Sequence, residues 1–428
     1  MQPKHQRKYE FRCPVHGFVS LTDWEREIIS QTVYQRLRRI RQLGWTDQVY
    51  PGAMHTRFEH SLGVMHVATA IYDGIVNSSR GILEREMKFD QAGLERDRIL
   101  VRLTALMHDL GHSPFSHAGE ELFPLRPEND GDRYKHEDYS AAIIREKLRD
   151  TIENHSLNDN YKIRADEIAN LLEGSTESGR SLVWRDIITG QMDADRIDYL
   201  LRDSHHAGVE YGRFDWRRLM GCLVLVQSNE HASYHLGVAE GGLHAAESLI
   251  LARYLMFTQV YFHKTRVAYD HHLQKALAEM LPNGQFPRPS GQELDEFVKL
   301  DDWRILGNLA DGGGGEHGKR LCGRGHYREI YHTPECPSRK ALGRFEKICE
   351  KLGAKVRAIV PAEKSWYKVD QTDIPIRSDN AARQIVPLSK LSSVITGLKP
   401  IRKRMAYCLP EDKVESLGLV KQMEEKQR

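Results

Sequence analysis

Apolar residues recur at three- and four-residue spacing over Ser30 to Leu43, Arg57 to Ile75, Ile99 to Leu110, His136 to Leu148, Asp186 to Asp203 and Leu243 to Leu281. That period is the repeat of an α-helix with one buried face, so these segments impose a mainly α architecture. At 428 residues, the chain has room for two to three domains, or for one large helical body with an appendage. One hairpin interrupts the helices. Leu223 to Val226 and Ala232 to Val238 flank the turn-forming Ser228-Asn229-Glu230. Beyond Asp301 the pattern changes. A helix over Arg339 to Leu352 stops at Gly353, a C-cap residue, and the strand-like Val356 to Val360 has a pairing partner in Met405 to Leu409. The expectation is a helical catalytic core over 1–300 and a C-terminal α+β lobe over 301–428 serving regulation or oligomerisation.

Lys and Arg number 62 against 60 Asp and Glu, a net charge of +2, so affinity for polyanions must come from local clusters. The longest apolar stretch, Leu219 to Val226, is far short of the ~20 residues that span a bilayer. Met1 to Lys8 is charged and lacks a hydrophobic signal core. A soluble, cytoplasmic protein without membrane contact is expected. Six cysteines lie at 13, 222, 322, 336, 349 and 408 without a Cys-x-x-Cys pair, which suits free thiols in a reducing compartment. Cys322, His326, His332 and Cys336 lie close in sequence, but their spacing fits no common structural zinc pattern and reads as a loop accident. Gly313-x4-Gly318-Lys319 approaches a phosphate-binding loop, yet Arg320 replaces the required Ser or Thr and no helix is evident after it. The glycine run therefore reads as a flexible connector. The basic run Arg36 to Arg41 suits an ordinary helix surface and a nucleic-acid or nucleotide-effector contact equally well, and Lys390, Lys399 and Arg402 to Arg404 are no more decisive.

Histidine carries the chemistry. Ten of the 21 histidines fall between His55 and His206, within otherwise helical segments. His60, the adjacent pair His108-Asp109, and Asp195 supply two imidazoles and two carboxylates, a mixed N/O set for Fe, Mn, Co, Ni or Zn that leaves positions open for water and substrate. Gly111 and Pro114 then break the helix, and Ser113-Pro114 reads as the N-cap and first residue of the next one. On that helix His117 and Glu120 are three apart and share a face, so the carboxylate can orient the imidazole for proton transfer. Asp195, Arg196, Tyr199 and Asp203 share a polar arc of one helix, and Arg57, three before His60, adds a cation for phosphate.

Val15-His16-Gly17, Arg41-Gln42-Leu43-Gly44, Tyr50 to Val64, His108-Asp109-Leu110-Gly111-His112-Ser113-Pro114-Phe115-Ser116-His117 and Asp195-Arg196-Ile197-Asp198-Tyr199 follow in order. Together they resemble the HD-domain deoxynucleoside triphosphate triphosphohydrolases, the group of the animal sterile-alpha-motif/HD-domain enzyme and its bacterial relatives. The match is strong from about Cys13 to Lys264 and looser beyond. The resemblance implies an HD-domain helical core that cleaves a dNTP into deoxynucleoside and tripolyphosphate. It implies metal ligands at His60, His108, Asp109 and Asp195, a catalytic group of His117, Glu120, His136 and Asp195, and phosphate contacts at Arg57, His112, Arg196 and Tyr199. It further implies a deoxyribose site at Gln42, Leu43, Asp203 and Tyr261. Magnesium accompanying the nucleotide phosphates, a nucleotide effector, a homo-oligomer between dimer and hexamer, and a role in pool control or antiviral defence belong to the same expectation. Two positions depart from the animal pattern. Glu120 stands where an Asp is common, and Ser30 stands where an Asp reads a regulatory guanine nucleotide, so dependence on that activator is not carried over. Two competing readings use the same residues: an HD-type phosphodiesterase or single-strand nuclease, and a nucleotide-sensing oligomer with little turnover.

Overall fold

The structure, a computed structural model, describes residues 9–127, 131–174, 182–227, 234–364, 373–380 and 384–425. The hairpin turn expected at 228–230, and the start of its second strand at 232 and 233, lie outside these residues.

The organising element is the helix Arg57–Arg85, about 44 Å long at 1.5 Å per residue. Thr56 N–H donates to Glu59 Oε1 at 3.2 Å across its first turn. Its buried residues, among them Phe58, Leu62, Val64, Val67, Ile71 and Ile75, cover more than one face, as a helix in the middle of a core must. The helices Gln91–Met107 and Ala194–Ala207 pack along it. Gly63 permits the approach of Ala194–Ala207, since a Cβ there would collide with the Asp198 carboxylate and the Arg202 guanidinium.

Three expected helices are shorter than their periodicity. Ser30 to Leu43 breaks into a helix at Thr32–Gln35 and a 3-10 turn at Arg36–Arg39, because Arg36 is drawn into the interior instead of facing solvent. Asp186 to Asp203 divides into Leu182–Thr189 and Ala194–Ala207. The Asp193 carboxylate caps the second by accepting from the Arg196 amide at 2.7 Å. Leu243 to Leu281 divides into Leu243–Met256 and Lys264–Met280 around a π-helical turn at Phe257–Tyr261. The helix expected from Ser113-Pro114 begins later, as a 3-10 turn at Ser116–Leu122 behind a left-handed Phe115 (φ 59°).

Strands β1 (Tyr9–Cys13) and β2 (Gly17–Leu21) form an antiparallel hairpin against the core. The expected hairpin is β3 (Leu223–Gln227) with β4 (Tyr234–Ala239), in register Leu225 to Leu236. It is extended by β7 (Pro375–Arg377), parallel to β4, and by β8 (Ile385–Pro387). A second sheet has the order β5 (Arg328–His332), β9 (Ile401–Cys408), β6 (Ala358–Lys364), with Val360 opposite Met405. The helices Arg339–Leu352 and Lys413–Glu425 cover one face of it around Ile330, Phe345, Ile348 and Val420. Residues on both sides of position 301 share the main core: Ile305, Leu309, Leu321, Ile376 and Ile395 pack into the same apolar cluster as the Arg57–Arg85 helix.

The glycine run is no connector. A helix, Gly315–Cys322, does follow it and packs on Lys264–Met280, and a Cβ on Gly314 would come within 2.7 Å of Ala276 Cβ. The basic run is structural as well. Arg36, 1% exposed, donates to the carbonyls of Leu300 (2.7 Å), Leu110 (3.2 Å) and His112 (2.8 Å). Arg38 stacks 3.5 Å from the Phe58 ring centre, Arg39 bonds Asp301, and Arg41 bonds Asp47. Among the described residues no helix is long and apolar enough to cross a membrane. All six cysteines are free, and Cys322, His326, His332 and Cys336 do not converge on a common point.

Candidate active site

His60 rides on the first turns of the central helix, and His108-Asp109 follow the end of Gln91–Met107. Asp195 sits in the first turn of Ala194–Ala207. Packing of the three helices brings these ends together. His60 Nε2 is 3.0 Å from Asp195 Oδ1 and 3.5 Å from Asp109 Oδ2. His108 Nε2 is 3.1 Å from Asp109 Oδ1 and 3.8 Å from Asp195 Oδ1. His60, His108 and Asp195 offer ligand atoms all within 4.8 Å of one another, while Asp109 is drawn aside by Arg57 Nη1 at 2.6 Å.

Hydrogen bonding behind the cluster fixes its protons. His108 Nδ1–H donates to the Ala105 carbonyl at 2.8 Å, leaving a lone pair on a buried Nε2 that has no hydrogen-bond partner. His60 Nδ1–H donates to Asp198 at 2.8 Å, so the neutral ring likewise turns a lone pair toward Asp195. Lone pairs aimed at carboxylates repel unless a cation lies between them, so this donor set fits a divalent metal ion. Without one, a proton takes that place. Burial alone would lower His60, but Asp195, Asp198 and Asp109 outweigh it and push its pKa up to about 10. The Asp195 carboxyl is driven far down against its own burial by His108 and His60, and Asp109 is held well below the usual range by Arg57, His108 and His112.

A second cluster adjoins the first. His117 Nδ1 and His136 Nδ1 donate to the same Glu120 oxygen at 2.9 and 2.8 Å. Burial would lower His136, but Glu120 and Glu137 overcome this and raise it to about 9. His112 stacks on His136 with ring centres 3.9 Å apart, and its Nε2 is 3.2 Å from Asp109 Oδ1, so it joins the two clusters. Burial, Arg57 and His136 keep His112 neutral. The His117 side chain is 60% exposed, which leaves its Nε2 open to a ligand. Gly111 lets this loop lie on the helix His136–Lys147, because a Cβ there would strike the His136 carbonyl.

Of the residues expected to hold a sugar, Asp203 and Tyr261 meet directly. Tyr261, at the end of the π turn, donates its hydroxyl to Asp203 Oδ2 at 2.7 Å, and His55 bonds Oδ1 at 2.7 Å. Gln42 is buried with Oε1 unpaired, and Leu43, 5% exposed, belongs to the main core. Arg196 is turned back to the Gly190 carbonyl and lies 3.4 Å from Asp193, while Tyr199 packs edge-on to Tyr261 at 6.3 Å. Five residues, His16, His55, Asp198, Arg202 and Arg253, had no role assigned from sequence. Asp198 accepts from His60, from His16 Nε2 at 2.6 Å and from Arg202 twice at 2.8 Å. Arg253 is buried beside Tyr199 and Asp193, and His55 sits behind the sugar-site carboxylate. Asp198 carries the only local signal, lying one helical turn after Asp195 and one before Arg202.

A helical core in which imidazole lone pairs and carboxylates converge beside an imidazole–carboxylate proton set defines the class of HD-type, metal-binding phosphohydrolases. Residues 57–203 match the HD domain and residues 214–418 the HD associated region. The chain belongs to the HD-domain phosphohydrolase family. It is similar to an uncharacterized protein of Methanocaldococcus jannaschii, 29% identical over 423 residues that cover 95% of this chain and 80% of that one. It is also similar to the deoxynucleoside triphosphate triphosphohydrolase SAMHD1 homolog of Dictyostelium discoideum, 31% identical over 295 residues. That match covers 67% of this chain and spans about half, 52%, of the relative. The crystal structure of a hypothetical protein from Aquifex aeolicus shares the fold with a TM-score of 0.79 at 28% identity, covering 97% of this chain and 100% of that one.

Proposed function

We propose that the chain hydrolyses deoxynucleoside triphosphates to deoxynucleoside and tripolyphosphate. The observation that carries this reading is the junction at Asp109 Oδ1, within 3.1 Å of His108 and 3.2 Å of His112, which sets the metal group against the proton group. His60, His108, Asp109 and Asp195 would hold the divalent ion, which supplies Lewis-acid polarisation of a phosphoryl oxygen when bound. Arg57 and His112 bind the phosphates. Glu120 accepts a hydrogen bond from His117 Nδ1–H, which orients the imidazolium so that its Nε2–H is the proton given to the leaving oxygen. His136 shares Glu120, and against the carboxyl's own burial His117 and then His136 hold it ionised. The unpaired Gln42 Oε1 accepts the 3′ hydroxyl, with the Asp203–Tyr261 pair beside it. The Dictyostelium relative's name supports the substrate class.

The wider reading includes magnesium on the nucleotide phosphates, a nucleotide effector and a homo-oligomer. A cleft of ≈1170 Å³, lined by His263, Lys264, Arg324, His326, Arg328 and Lys421 among others, suits a polyanionic effector and shares no lining residue with the two clusters. The test is incubation of metal-loaded protein with each dNTP, alone and in mixtures, followed by chromatography. Tripolyphosphate from the wild type and none from Asp195→Ala supports the reading. Mononucleotide released from an oligonucleotide supports a phosphodiesterase or nuclease instead, and binding without turnover supports a sensor.

A further inference from the structure

The loop that carries the proton-transfer histidine is strained and tied down from outside the HD segment. Phe115 and Ser116 are consecutive left-handed residues, φ 59° and 60°, and neither is glycine. Such a turn persists only where its surroundings over-determine it. Asp302, 1% exposed, lies in the first turn of the helix Asp302–Ala310. Its Oδ1 accepts the Phe115 amide at 2.7 Å and its Oδ2 accepts the Arg41 amide at 2.9 Å. Ser116 Oγ completes the tie, donating to the Arg41 carbonyl at 2.6 Å and accepting from Arg57 Nε at 2.9 Å. The Phe115 ring stacks on Trp45 with centres 5.3 Å apart. One carboxylate therefore spans the turn before Gln42 and Leu43 and the turn before His117.

We propose that Asp302 is a positioning residue that sets His117 and Arg57 relative to the Gln42–Leu43 turn by clamping the amides of Phe115 and Arg41. This rests on the reading of His117 as proton donor above. Among the described residues no other acceptor bonds these two amides, so removing the carboxylate frees the left-handed turn to relax and swings His117, two residues on, away from the leaving oxygen. Asp301 next door provides the contrast. It caps the same helix, accepting from the Arg304 amide at 3.0 Å, and pairs with Arg39 without touching the loop.

The experiment compares Asp302→Asn, Asp302→Ala and Asp301→Asn as full-length, metal-loaded chains. Misplacement of a reacting group by about 1 Å costs on the order of 100-fold. Asp302→Ala should therefore lose about 100-fold in kcat with KM within threefold, and Asp302→Asn, which keeps one acceptor, about tenfold. Amide hydrogen exchange should speed up at Phe115 and Arg41 in both, while Asp301→Asn lowers the melting temperature and leaves kcat and those two amides unchanged. A kcat within twofold of wild type in Asp302→Asn, or equal losses in Asp301→Asn, overturns the proposal. If Asp302→Ala does not fold, Asp302→Asn carries the test alone. Bis(p-nitrophenyl) phosphate serves as a second substrate. Should wild type leave every dNTP intact, the dNTP reading fails, while exchange at Phe115 and turnover of this diester still decide the clamp.

Discussion

Asp198→Asn tests whether a buried carboxylate, rather than the imidazole alone, orients His60. The native side chain accepts His60 Nδ1 at 2.8 Å, His16 Nε2 at 2.6 Å and two Arg202 bonds at 2.8 Å, and none of these partners is exposed. An asparagine keeps one oxygen. Its NH₂ group meets donors on the other side, and Gly63 lies too close for a shift of the backbone. The buried Arg202 guanidinium loses its nearest counter-charge and keeps only Glu59 Oε2 at 3.5 Å, and breaking such a buried pair costs up to about 3–5 kcal/mol. At about 2 °C per kcal/mol for a large domain, the melting temperature should fall by roughly 6–10 °C. Loss of the partner that fixes a ligating imidazole should weaken metal binding by about 10- to 100-fold. Scanning calorimetry of metal-free protein isolates the first effect, and an equilibrium metal titration measures the second. A melting temperature within 2 °C of wild type, by the same ~2 °C rule, refutes the ion-pair argument. A destabilised variant with unchanged metal affinity refutes the orienting role and leaves only packing.

His117→Ala should retain metal and substrate binding while losing about 10²–10⁴-fold in turnover; a raised KM with unchanged kcat would make His117 a phosphate contact instead. Leu43→Ala should cost about 2–3 kcal/mol of stability, because the side chain is 5% exposed in the core. It should also raise ribonucleotide hydrolysis relative to deoxynucleotide about tenfold by removing an apolar wall, and unchanged discrimination would reduce Leu43 to a packing residue. The His136 pKa is raised from 6.5 to about 9, chiefly by Glu120 working against burial. Its contribution to stability is therefore full below 6.5 and lost as pH climbs through about 9. Glu120→Gln should flatten that decline in melting temperature, and an identical slope in the variant would contradict the pairing.

Legibility in the sequence followed locality. His108 to His117 is one contiguous stretch, and the periodicity of Arg57 to Ile75 and His136 to Leu148 is strong enough to place His60 and His136 on helices. The break at Asp193 had a local signal, an N-capping carboxylate behind Gly190, but apolar spacing ran through it. The π turn at Phe257–Tyr261 had none, since every residue around it suits a helix. Partners distant in sequence stayed hidden. His16 meets Asp198 across 182 residues, and Asp302 meets Phe115 across 187. Arg36 shows the reverse error of pattern reading: a basic run suggests a solvated surface, yet the first residue of this one is spent on main-chain carbonyls in the interior.

Arg36 reaches the Leu300 carbonyl across 264 residues, and the same guanidinium holds Leu110 and His112. On the ribosome every histidine of both clusters is translated before Leu300 and Asp302 exist. Until those residues emerge, Arg36 is a hydrated cation and the amide of Phe115 is bonded to water. A nascent chain that has completed its histidine motifs therefore still lacks both ties, and under the proposed clamp its competence would arrive late in synthesis. The stretch from 57 to 203 that matches the HD domain is thus held in shape partly from outside itself, by Arg36 before it and Asp302 after it.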